Sequence, residues 1–151
     1  MVSRMFRIET GVDKERLRLL RTRLRAANTA ASPALRALRG TDAERELPLG
    51  VWALGDDGAF VGGLAGHTWA GWLHVSLLWV SDEARGVGLG GRILTEAERV
   101  AREERGCRRA RLETWDFQAP DFYRKFGYEV VCVIPDYPEG ATEYTLTKRL
   151  G

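Results

Sequence analysis

Cysteine and histidine are scarce in this chain, with two of each among its 151 residues. Cys107 and Cys132 are too few for a disulfide framework, and together with His67 and His74 they show no metal-ligand spacing. A stapled secreted module and a zinc-built fold are therefore argued against, and neither cysteine has a recognisable base beside it in sequence that would favour covalent catalysis. Long apolar runs are also missing, and the opening Met1–Arg7 is not signal-like. The expectation is a cytoplasmic protein with no membrane association. Charge of one sign is lacking as well. Lys plus Arg number 23 against 21 Asp plus Glu, and a formal charge of +2 gives no bulk attraction to nucleic acid or to an acidic bilayer. Charge counts only where it clusters. The basic residues are nearly all arginine, which with abundant alanine fits a GC-rich bacterial coding sequence.

Glycine, by contrast, is plentiful, and four of the 17 lie between Gly86 and Gly91 in the run Ala84-Arg85-Gly86-Val87-Gly88-Leu89-Gly90-Gly91-Arg92. The run joins an expected strand to an expected helix. Glycine leaves backbone N–H groups unshielded there, and a helix N-terminus adds partial positive charge, so the turn is suited to a pyrophosphate. The same run satisfies Gly86-x-Gly88-x-x-Gly91, with Glu113 ending the next strand as a dinucleotide fingerprint asks. A doubly wound dinucleotide domain needs further βαβ units, however, and only one is visible.

The chain length suits one domain able to bury roughly two-thirds of its unfolded surface. Hydrophobic spacing predicts a strand over Arg4–Glu9 and a helix over Asp13–Ala27, with Leu17, Leu20, Leu24 and Ala27 on one stripe and Lys14, Arg18, Arg21 and Arg25 opposite. That basic face reads as a solvated surface, or alternatively as a nucleic-acid contact. A turn and short helix follow over Asn28–Gly40, then a strand at Pro48–Leu54, a turn at Asp56-Asp57-Gly58 and a strand from Phe60. Gly62, Gly63 and Gly66 predict a bulge or a close backbone approach in that strand. Trp72–Val80, Leu89–Glu104 and Arg109–Thr114 then form a parallel βαβ unit, the helix burying Leu89, Ile93, Leu94, Ala97, Val100 and Ala101 and ending near Gly106. A short helix at Ala119–Phe126 and strands at Tyr128–Ile134 and Glu143–Leu146 close one mixed α/β domain.

The order strand, Arg85-x-x-Gly88-x-Gly90, helix, strand, then Ala119-x-x-Phe122-Tyr123 with Gly127-Tyr128, resembles the GNAT superfamily of acetyl-CoA-dependent N-acetyltransferases. The resemblance covers about two-thirds of the chain, from Leu49 to Arg149. It implies a single GNAT-like domain over residues 1–151, with a central mixed, mostly antiparallel sheet, one parallel βαβ unit and helices on both faces. It also implies acetyl-CoA as co-substrate, with no metal. Its pyrophosphate would lie on Arg85, Gly86, Val87, Gly88, Leu89, Gly90 and Gly91. The pantetheine arm would pair along Leu78, Trp79 and Val80, with Phe122 and Asp116 nearby. Relatives often carry Asn where this chain has Asp116, which leaves that contact open.

By the same resemblance Tyr123 is the acid that protonates the departing thiolate, since a phenol of ordinary pKa about 10 can hydrogen-bond a thiol of pKa about 8.5. Many relatives place a carboxylate where this chain has Ser76. Alternation puts His74 and Ser76 on one face, so a water held between them can relay the amine's proton; Glu113 and Asp116 are further candidates. The acceptor is a small-molecule or peptide amine, such as a polyamine, an amino-sugar antibiotic or a protein N-terminus. It is expected between Asn28–Thr41 and the loop Pro135–Gly140, where Asp116, Asp136 and Glu139 can draw in a cation and Trp69, Trp72, Trp115 or Tyr137 can form walls. Relatives are often homodimers. Two other classes stay open at this point: a non-catalytic acyl-CoA sensor, and a nucleic-acid-binding module resting on the arginine-rich first helix.

Overall fold

Asp13 caps the first helix, α1 (Lys14–Ala31), its carboxylate accepting the Arg16 amide at 2.9 Å. Ser32 caps α2 (Pro33–Leu38) in the same way, and Pro33 sits where a missing N–H costs nothing. The computed structural model describes residues 5–118 and 120–151. These fall into two compact units that divide after Arg39. Within the first, Arg36 donates to the Thr29 and Ala30 carbonyls at 3.2 and 2.6 Å, holding α2 against the end of α1. The strand expected at Arg4–Glu9 is not formed at residues 5–9, and Arg4 lies outside the described residues. Among the described residues no strand pairs with this segment, and Glu9 instead binds Arg7 at 2.7 Å and Arg16 at 3.1 Å. The helix runs four residues further than its periodicity predicts, and Leu17, Leu20 and Leu24 of its apolar stripe are exposed.

The second unit is built on six strands: β1 (Leu47–Leu54), β2 (Phe60–Trp69), β3 (Trp72–Val80), β4 (Arg109–Trp115), β5 (Glu129–Ile134) and β6 (Glu143–Arg149). Their order across the sheet is β1-β2-β3-β4-β6-β5, and every adjacent pair is antiparallel except β3 with β4. Between those two the chain crosses through α3 (Leu89–Arg99), which winds on as a π-helical turn over Val100–Glu104. Ile93, Leu94, Ala97 and Ala101 of this segment are buried against Leu49, Leu64, Leu73 and Val75 of the sheet, while Leu89 and Val100 are half-buried. Gly106 then turns the chain in the left-handed conformation at φ +68°, as expected. The short helix α4 spans Pro120–Lys125, and Ala119 lies outside the described residues.

A polar group is sealed beneath α3 that periodicity did not predict. Glu98 is buried on the helix's core side and accepts from the Tyr128 hydroxyl at 2.9 Å and from the Lys148 ammonium at 2.6 Å. Burial and the adjacent Glu98 carboxylate push the Tyr128 phenol far above its ordinary range, so it stays a donor.

The glycines of β2 have separate uses. A Cβ on Gly63 would lie 2.7 Å from the Trp52 ring, so the indole lies flat across the strand. At Gly66 the ladder slips: Leu77 pairs with Ala65 but Val75 pairs with Gly66, leaving Ser76 as an extra residue in β3. A Cβ on Gly66 would sit 2.2 Å from the His74 carbonyl oxygen. Backbone there cannot yield as a side chain can. Gly66→Ala is expected to cost about 3 kcal/mol, the upper end for an overpacked site. Gly58→Ala, which has open space around it at φ +80°, should cost only about 1–2 kcal/mol. Urea denaturation of the two variants measures the difference, and equal losses would contradict the bulge geometry.

Candidate active site

Beyond Val80 a 3-10 turn over Asp82–Ala84 leads into the glycine elbow. Gly86 and Gly88 both take positive φ, +80° and +79°, and neither has an atom within 4 Å of where a Cβ would stand. Gly88 is the N-cap of α3 and offers no side chain, so the first amides of the helix point outward from the elbow without a capping partner. Gly91 serves a different purpose. A Cβ at Gly91 would lie 2.3 Å from Phe126, so this glycine lets the end of α4 settle on the first turn of α3, whereas one at Gly90 would meet Phe122 in ordinary contact at 3.4 Å. Arg85 folds back on the strand end, donating to the Val80 carbonyl at 3.1 Å and pairing with Asp82 at 2.9 Å.

The elbow opens onto a cavity of about 1120 Å³ that reaches the gap between β3 and β4. That gap exists because the parallel ladder lasts only four pairs, from Trp72 with Arg109 to Val75 with Leu112. Past it, Ser76–Val80 of β3 and Glu113–Trp115 of β4 line the cavity from facing sides. Of the residues expected to hold the co-substrate, Leu78, Trp79, Val80, Arg85, Gly86, Gly88, Leu89, Gly90, Gly91 and Phe122 all line this cavity. Val87 and Asp116 are not among its lining residues; Val87 is exposed, and the Asp116 amide is tied to the Thr142 carbonyl. Basic Arg85 and Lys125 add positive charge to the wall. Open space at the two left-handed glycines, uncapped amides and flanking cations together fit a diphosphate, and an unpaired strand edge fits an amide-bearing chain.

Tyr123 and Ser76 line the same cavity, while His74 is not among its lining residues. Tyr123 packs edge-on against Phe122 and Tyr128, with centroids 5.1 and 5.9 Å away. A phenol is protonated at neutral pH at its ordinary value, and burial pushes this one higher still. Ser76 is the bulge residue, and alternation breaks after it: Leu73 and Val75 are buried, while Ser76 and Leu77 are both exposed. His74 instead bonds Glu113 through Nε2 at 2.7 Å, and Arg111 donates to the other Glu113 oxygen at 2.8 Å. Burial alone would raise the Glu113 carboxyl; its bonds to His74 and Arg111 outweigh this and hold it below the usual carboxylate range.

Of the expected aromatic walls, only Trp115 lines the cavity, stacked on Phe117 at 5.7 Å and an interplanar angle of 9°. Its indole N–H donates to the Tyr137 carbonyl and so ties down the loop after β5. Gln118 was not anticipated: its side-chain oxygen accepts from the Trp115 amide and the Thr114 hydroxyl, both at 3.1 Å, and shapes the end of β4. Burial pushes the Cys107 thiol up, away from nucleophilic use, and Cys107 and the exposed Cys132 are not among the cavity's lining residues. Among the described residues no cluster of three or more His, Cys, Asp or Glu is placed to hold a metal, and no helix is long and apolar enough to cross a membrane.

A mixed sheet that forks beside a glycine elbow, with a phenol lining the same cavity, fits an acyltransferase rather than a doubly wound dinucleotide domain. The chain belongs to the Acetyltransferase (GNAT) family, whose model matches residues 17–128. It is 52% identical over 131 residues to a blasticidin-S acetyltransferase of Streptomyces morookaense, covering 85% of this chain and 96% of that protein. It is 36% identical over 101 residues to an acetyltransferase of Agrobacterium fabrum, covering 67% and 73% of the two chains. Among solved structures, an acetyltransferase from Bacillus cereus superposes with a TM-score of 0.81 at 28% identity, over 95% of this chain and 97% of that one.

The two inner glycines separate in their effects. Gly91→Ala drives a methyl into the Phe126 ring and should lower stability by about 1–3 kcal/mol, a loss of several degrees in Tm. Gly90→Ala meets only ordinary contact and gains helix propensity, so its Tm should stay level or rise. Thermal melting followed by circular dichroism reads both.

Proposed function

We propose that this protein transfers an acetyl group from acetyl-CoA directly to a primary amine, within a complex that holds both substrates. The observation that carries the reading is the early end of the β3–β4 ladder next to the glycine elbow. Backbone groups of Leu78, Trp79 and Val80 would pair with the pantetheine amides, and the amides of Gly86–Gly91 with Arg85 and Lys125 would hold the phosphates. When bound, the thioester supplies an activated acetyl carbon and a thiolate leaving group.

The rest of the chemistry falls to the protein. A backbone N–H near Val80 can polarise the carbonyl oxygen as charge develops on it. Tyr123 donates to the departing sulfur. Burial raises its phenol, which even at its ordinary value lies above the thiol's value of about 8.5, so its part is a hydrogen bond to sulfur that strengthens as the C–S bond breaks, with full proton transfer uphill. The amine's proton leaves through the polar groups at the fork, Ser76 and the His74–Glu113 pair. The stacked Trp115 and Phe117 give the acceptor a flat wall, and the likeness to a blasticidin-S acetyltransferase supports an amine-bearing antibiotic as that acceptor.

Release of coenzyme A against a panel of blasticidin S, aminoglycosides, polyamines and a peptide N-terminus tests the reading, with blasticidin S expected among the acceptors. Tight acetyl-CoA binding with no thiol release for any amine would instead indicate a sensor. Tyr123→Phe should lower turnover by roughly 10²-fold or more while calorimetry finds its acetyl-CoA affinity unchanged. Turnover at the wild-type rate would remove Tyr123 from the mechanism.

A further inference from the structure

Amine attack on a thioester releases a proton at nitrogen, and the cavity offers few groups to take it. Arg85 and Lys125 are cationic, and Tyr123 is protonated. Glu113 is the one carboxylate among the lining residues. It is also the first residue of β4 beyond the last parallel pair, facing Ser76 across the opening of the fork, so it stands where the acyl carbon must be met.

We infer that Glu113 is the proton acceptor of the transfer step, held in place by His74 and Arg111 as positioning residues; the inference rests on the acetyl-transfer reading above. The two contacts use one lone pair on each carboxylate oxygen, His74 on Oε2 and Arg111 on Oε1, and leave a second on each for the incoming amine. Both residues come from one cross-strand row. His67 of β2 lies opposite His74 of β3, and His74 lies opposite Arg111 of β4. The chain's two histidines thus touch, with ring centroids 5.1 Å apart, and His67 in turn reaches the exposed Glu46 at 3.4 Å. Charge at the cavity end of the row is thereby linked to solvent at the other.

Glu113 is ionised at neutral pH, and an ammonium of ordinary pKa about 10 does not surrender its proton to such a group. The attacking species is therefore the neutral amine. As its lone pair forms the C–N bond, nitrogen becomes acidic and its proton passes to a Glu113 oxygen. The C–S bond breaks with its electron pair on sulfur, which takes the Tyr123 proton. Return of the proton from Glu113 to the tyrosinate through solvent restores both groups, and amine plus thioester have become amide plus thiol.

Glu113→Gln keeps the shape but cannot accept the proton. With blasticidin S as acceptor, kcat should fall by about 10²-fold or more while calorimetric acetyl-CoA affinity stays at the wild-type value. For His74, a glutamine can still donate to Oε2 and a leucine cannot. His74→Gln should recover much of the kcat that His74→Leu loses, with KM for acetyl-CoA unchanged in both. In His74→Leu, the Glu113 titration followed by ¹³C NMR should move to higher pH, because a donor that held the carboxylate low is gone. A Glu113→Gln enzyme within threefold of wild type would overturn the inference and leave the transfer reading standing. Equal losses in the two His74 variants, or an unmoved Glu113 titration, would overturn the positioning role. A wild-type protein that acetylates no amine of the panel would overturn the transfer reading, and the assignment of Glu113 with it.

Discussion

The early end of the β3–β4 ladder is the constraint on which the rest of the structure turns. Two parallel strands that stay paired for four residues and then part leave backbone donors and acceptors facing an open gap. Backbone groups of that kind seek partners, and past Val75 and Leu112 the two strands supply none to each other. The gap is held open from both sides. On one side β3 carries an extra residue at Ser76, accommodated because Gly66 presents no side chain to the His74 carbonyl. On the other side β4 stays paired to β6 along its full length, so it cannot swing over to close the fork.

The glycine elbow and α4 are fitted to that opening. Four glycines in one turn look redundant as a sequence pattern, yet they divide the work. Gly86 and Gly88 take backbone angles that turn the helix start toward the cavity, while Gly91 clears room for Phe126. Tyr123 lies between Phe122 and Phe126 in the chain, so the packing of α4 on α3 also sets where the phenol stands. Burial at that position raises the phenol further above an ordinary value that already leaves it protonated at neutral pH. Stability and chemistry therefore share the same few contacts.

Much of this was legible in the sequence. The bounds of β3 were read as Trp72–Val80, because apolar spacing and the flanking Ala70-Gly71 and Ser81-Asp82 mark both ends. The elbow was legible since glycines at a strand-to-helix junction have few other uses. Other features left no such mark. A bulge adds one residue without altering composition, so the sequence pattern gives no sign that alternation breaks after Ser76, where Ser76 and Leu77 are both exposed. Glu98 sits at a position that reads as solvated until Tyr128 and Lys148, 30 and 50 residues on, are seen to meet it. The segment before α1 has strand-like residues at Phe6 and Ile8, but strand formation needs a neighbour, which local sequence does not reveal. Glu113 and His74 stand 39 residues apart in the chain, and the β3–β4 pairing brings them to 2.7 Å.

If the fork and elbow hold acetyl-CoA as an added strand, the exposed amides on that edge become hydrogen-bonded when it binds. Amide hydrogen exchange with and without acetyl-CoA measures this directly. Slowed exchange confined to residues 77–80 and the elbow from 86 to 91, with the β5–β6 hairpin unchanged, is the predicted result. Exchange that stays the same at both segments in saturating acetyl-CoA would contradict the account.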